Sequence, residues 1–143
     1  MARLNEVRRA LADAIRGIDG LDVFHYTPGS VVVPCAYLAD VEIEPNTTFR
    51  GEDDHTFTLR VLTSAADDES GQDLLDEFLS RDGSRSIRAA LETARGANGE
   101  YALGGAADDL NVTRVGAYRT YTEGGGTYFG GEITVRVIGG GNV

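Results

Sequence analysis

In HTFTLRVLTS, residues 55 to 64, apolar side chains take every second place: Phe57, Leu59 and Val61 alternate with Thr56, Thr58 and Arg60. A period of two belongs to a β-strand with one face buried and the other in water. Such a strand needs partners beside it and a cover over its apolar face.

The sequence offers both. After Pro34, Tyr37, Ala39, Val41 and Ile43 alternate with Asp40, Glu42 and Glu44, which predicts a second strand, and LDVFHY ahead of the TPGS turn reads as a short third. Toward the C-terminus, Gly124, Gly125 and Gly126 close a hairpin. With those three residues in the loop, Tyr121 faces Phe129, Ala117 faces Ile133 and Val115 faces Val135. Arg119 then lands on the apolar face opposite Gly131, a mismatch that a bulge would relieve.

The cover is helical. Leu4, Val7, Leu11, Ala14, Ile15 and Ile18 recur at helical spacing until Gly17 and Gly20. In SAADDESGQDLLDEFLS, Ser64 and Asp67 have capping-box spacing, and Leu74, Leu75, Phe78 and Leu79 make a buried stripe. Asp67, Asp68 and Glu69 are consecutive and diverge around a helix, whereas a calcium loop needs ligands at alternating positions; they predict a solvated helix start and no metal site. Gly83 breaks that helix, and Ile87, Ala90, Leu91 and Ala94 begin another with Arg88, Glu92 and Arg95 outside. Residues 96–110, rich in Gly and Ala without periodicity, read as a mobile loop, and 139–143 as a flexible tail. The order α-β-β-β-α-α-β-β predicts one α+β domain over residues 1–143, a mostly antiparallel sheet of about five strands with helices on one side.

Several function classes lose ground at once. Cys35 is the only cysteine, which excludes an intrachain disulfide and a cysteine zinc site. The chain lacks a signal-peptide core and any apolar run long enough to span a membrane, so production in the cytoplasm is expected. A net charge of -10 argues against gripping phosphate backbones. All 13 basic residues are Arg, which points to a GC-rich genome. The glycine runs lack the Lys and Ser/Thr of a phosphate loop, and no cofactor is expected.

Two readings from different classes remain. His25 and His55 are the acid/base candidates, and either could activate Cys35 if the fold brought them together, which would make a small enzyme or ligand-binding domain. Against this stands separated opposite charge. Arg81, Arg85, Arg88 and Arg95 form a basic stretch, while Glu52, Asp53 and Asp54, then Asp67, Asp68 and Glu69, are acidic. Opposite patches favour head-to-tail contacts between identical subunits, and those that close make rings.

Three stretches carry a resemblance to a known family: LNEVRRALADAIRGIDGLDVFHYTPGSVVVPCAYL, FRGEDDHTFTLRVLTSAADDESGQDLLDEFLS and GSRSIRAALE. Over nearly its full length the chain resembles the tail terminator proteins of long-tailed bacteriophages, particularly those of actinobacterial hosts. The resemblance implies a structural virion protein without catalytic residues, assembled in the host cytoplasm. It would form a ring, expected to be a hexamer, that caps the tail tube, ends polymerisation of the tube protein and offers a docking surface to head-completion proteins. Genomic DNA would pass through the lumen unbound, and no membrane would be involved. Another neck protein, a head-tail connector or head-closure subunit, would share size and charge. The expected subunit contact pairs Arg85, Arg88 and Arg95 with Glu52, Asp53 and Asp54 of the next copy, and the expected partner contacts are Phe49, Arg50, Tyr118 and Tyr128.

Overall fold

A computed structural model describes residues 3–45, 53–65, 68–96, 100–123 and 125–139. The chain folds into an α+β domain with one five-stranded sheet, as the element order predicts. Helix α1 (Leu4–Ile15) leads into β1 (Asp22–Phe24), β2 (Cys35–Glu44) and β3 (Asp54–Ser64). Helices α2 (Asp68–Leu79) and α3 (Ile87–Ala94) follow, and β4 (Asp109–Glu123) with β5 (Gly126–Ile138) ends the domain. Across the sheet the strands run β1-β2-β3-β5-β4; β1 is parallel to β2 and every other pair is antiparallel.

The core lies between the sheet and the three helices. Val7, Leu11 and Ile15 of α1, Leu75 and Phe78 of α2, and Ile87 and Leu91 of α3 meet Phe57, Leu59 and Val61 of β3 and Ile133, Val135 and Val137 of β5. Ser86 fixes the α2–α3 corner. Its hydroxyl accepts from the Ala89 N–H at 3.0 Å as the cap of α3 and donates to the Ser80 carbonyl at 2.5 Å.

A smaller cluster of Cys35, Tyr37, Leu62 and Tyr121 occupies the other sheet face, joined by Phe24, Val31 and Val33. This divides β2 in two. Cys35 to Leu38 are buried on both faces, and then the register with β3 shifts between Leu38 and Asp40. The bulge at Ala39 turns the strand over, so Tyr37 faces the small cluster while Val41 packs on the main core. Tyr37 and Ala39 therefore do not share a face with Val41 and Ile43, as unbroken alternation would have it.

The C-terminal hairpin also departs from the predicted register. Glu123 pairs with Gly126, so two residues make the connection, with Gly125 at φ 84°. Tyr121 faces Tyr128, Val115 faces Ile133 and Val112 faces Val135, after further shifts between Val112 and Arg114 and between Gly116 and Arg119. The second shift is the relief that Arg119 required: Ala117 takes φ 52°, and Arg119 sits opposite Gly130 on the open face.

Two local expectations need correction. Ser64 is the last residue of β3, paired with Tyr128, and stands four residues ahead of α2, which starts at Asp68; Asp67 lies outside the described residues. Residues 102–107 are no mobile loop. Ala102 and Ala107 bridge through 2.9 and 3.3 Å backbone hydrogen bonds, and Ala102, Leu103, Ala106 and Ala107 belong to the main core.

His55 adds a pH dependence. It is 6 % exposed and stacks on Phe57 at 5.9 Å. Burial lowers its pKa below the ordinary 6.5 despite the nearby carboxylates of Asp53 and Asp54. Folding therefore favours neutral His55, and its contribution is complete above the unfolded value and lost as pH falls through the folded one. Thermal denaturation should show stability falling below about pH 6.5 in the wild type and a flatter profile in His55→Gln; matching profiles would remove His55 as the cause.

Candidate assembly surfaces

The chemistry-bearing residues are set apart. Cys35 pairs with Leu62 and His55 with Ile43, eight positions further along β2, which separates them by roughly 25 Å. Burial, helped by Asp22, pushes the Cys35 thiol up to about 11, the wrong direction for a nucleophile. His25 follows β1 and packs edge-on against Tyr26 at 5.0 Å. The parallel register of β1 and β2 sets His25 three positions along from Asp22, the partner of Cys35, or about 10 Å, so neither histidine is placed beside the thiol. Among the described residues, no group of three His, Cys, Asp or Glu side chains is placed to hold a metal ion.

The predicted charge contacts are largely satisfied inside the chain. Arg85 pairs with Glu77 at 2.8 Å, Arg95 with Asp109 at 2.8 Å, and buried Asp54 with Arg136 at 2.7 Å. Arg88 is half-buried in a cleft with Arg81, Glu92 and Val112, and Asp53 is half-buried ahead of β3. Glu52, Phe49 and Arg50 lie outside the described residues. Internal pairing lowers the net positive charge of the α2–α3 region, so it is a weaker lateral surface than the sequence implies.

The two tyrosines separate as well. Tyr128 is half-buried against the small cluster. Strand alternation puts Tyr118 on the face opposite the apolar one, but the bulge at Ala117 brings it beside α2. There it lines a cleft with Asp76, Leu79, Ser80, Val115 and Gly116. Burial, then a hydrogen bond with Asp76, pushes its phenol up to about 12, although the residue is 46 % exposed.

What sequence reasoning missed is the open sheet face. Near the small cluster, Arg60 donates to Glu132 at 2.9 Å and to the Tyr37 hydroxyl at 3.3 Å. Burial opposes the Arg60 charge, but these two partners outweigh it and raise its pKa. The Arg60 and Arg119 guanidinium groups both lie over the Tyr121 ring, 4.8 and 4.7 Å from its centre, and the Tyr121 hydroxyl donates to the Ala117 carbonyl at 2.7 Å. Gly130 makes the room, since a Cβ there would meet the Tyr121 ring at 2.5 Å.

Toward the margins the face divides by charge. Exposed Asp40, Glu42 and Glu44 line β2, whereas exposed Arg114 and Arg119 project from β4, the opposite edge. Pairing runs Asp40 to Thr58, Thr58 to Thr134, and Thr134 to Arg114, so Asp40 and Arg114 occupy one row at the two ends of the sheet. Neither forms a salt bridge among the described residues. The alternation around Asp40 was legible in the sequence; its placement across from Arg114 depends on three strand registers and three bulges. Among known proteins, no family model and no curated sequence matches this chain.

Proposed function

We propose that this protein is a ring-forming structural subunit of a phage tail, a terminator that caps the tail tube, ends tube polymerisation and presents a docking surface to head-completion proteins. The observation that carries the reading is a sheet covered by helices on one face, with opposite charge at its two edges. Such a subunit attracts a second copy head to tail and repels it edge to like edge. The resemblance noted in the sequence supplies the tail, and the net charge of -10 suits a passage through which DNA moves without sticking.

The test is the mass of the purified protein in solution, alone and with tail-tube protein, at low salt and at about 0.5 M salt. A closed oligomer, or a monomer that assembles on tubes and fixes their length, is the expected result, weakening as salt rises. A monomer indifferent to tubes at every salt concentration would sink the reading.

A further inference from the structure

We infer that the ring contact is an edge-to-edge sheet contact, in which the outer half of β2 of one copy lies antiparallel to β4 of the next and Asp40 meets Arg114. This rests on the ring-forming reading and specifies its interface. Among the described residues, β1 pairs only with Cys35 to Tyr37, the Thr27 hydroxyl donates to the Leu38 carbonyl at 3.2 Å, and no strand borders β2 from Asp40 to Glu44. Among the described residues, no strand borders the outer side of β4 either.

Three features fit these edges to each other. Direction alternates from β2 through β3 and β5 to β4, so a copy added in the same orientation brings its β2 antiparallel to β4. With no lateral offset, Asp40 of the incoming copy reaches Arg114 on the open face. In the same register the helix-side residues Val41 and Ile43 reach Val112 and Leu110, which gives 44 % exposed Ile43 an apolar neighbour.

Charge also excludes the wrong pairings. Two β2 edges would oppose carboxylates and two β4 edges would oppose guanidinium groups, so the symmetric dimers are disfavoured, while the head-to-tail contact joins Asp40 to Arg114 and brings Glu44 to an Asp109 whose charge Arg95 already offsets. The β4 bulges keep any backbone ladder short, which makes the side-chain match decisive.

The experiment uses Asp40→Arg and Arg114→Asp in the full chain, read by sedimentation over a range of concentrations. Each variant alone should associate about tenfold more weakly than wild type, with an unchanged thermal midpoint showing that it is folded. Mixed one to one, the two variants should regain the wild-type mass. In an alternating ring the Asp40→Arg copy presents a guanidinium at both contact positions and the Arg114→Asp copy a carboxylate at both, so every contact between positions 40 and 114 again joins a guanidinium to a carboxylate. A wild-type ring that survives both reversals, or a mixture that fails to regain mass, overturns this interface and leaves the ring-forming reading standing. A wild type that stays monomeric with and without tubes overturns both.

Discussion

Ala107→Asp is expected to destabilise the fold by about 4 kcal/mol, because it places an unpaired carboxylate at a fully buried position. A loss of that size takes between about a quarter and four fifths of the roughly 5–15 kcal/mol that holds a domain together. The charge has no easy escape. Ala107 is tied by backbone hydrogen bonds to Ala102, and its neighbours Leu103 and Ala106 are themselves in the core. A urea titration separates two views of residues 102–107: a solvated loop would tolerate the substitution to within about 0.5 kcal/mol, and a buried plug would not. An unchanged midpoint would show that the segment leaves the core in solution.

Gly71→Ala carries the second large effect, and two rules predict opposite signs for it. Helix propensity alone says that replacing a helical glycine gains up to about 1 kcal/mol. Packing says otherwise, since a Cβ at Gly71 would run into the backbone carbonyl of Ser64 and come within 3.2 Å of the Phe129 ring. The neighbourhood is fixed on both sides: the Thr63 hydroxyl donates to the Gly71 carbonyl at 2.8 Å, and Ser64 pairs with Tyr128. Backbone against backbone cannot relax by a rotamer change, so we expect a net loss of about 2 kcal/mol. Differential scanning calorimetry decides the sign, and a raised midpoint would mean that α2 stands further from β3 than described.

These two residues mark where the sequence stops being legible. Phe57, Leu59 and Val61 declare a strand because the side-chain period is local, and the helical stripes do the same for α1, α2 and α3. Class and element order follow from such local signals. Gly71 is silent, because its meaning is an approach by residues outside its own helix. Leu103, Gly104 and Gly105, with φ of 53°, 65° and 106°, look like flexible chain in one dimension. In the fold they make a tight turn that buries Leu103 and Gly105 and leaves Gly104 at the surface.

Bulges hide the rest. Each adds one residue to one strand and reverses every later side chain, and nothing in a period-two pattern announces it. Reading Tyr121 opposite Phe129 is one residue away from the actual pairing with Tyr128, and the error grows toward Val112. The acidic and basic edges were thus visible as residue types, while their common row was not. Arg85 and Arg95, the more obvious cations by local density, proved to have partners within their own chain.

The odd number of reversals between β2 and β4 has a consequence for the proposed ring. Copies joined through those edges without being turned over all point the same way, so the two rims of the array differ in chemistry. One rim collects Glu44, Asp54 and Asp109 at one end of the strands; the other carries Ser64, Tyr121 and Tyr128 around the hairpin end. An object with unlike rims has polarity, so in the proposed ring one rim would be free to terminate a growing polymer while the other received a different structure.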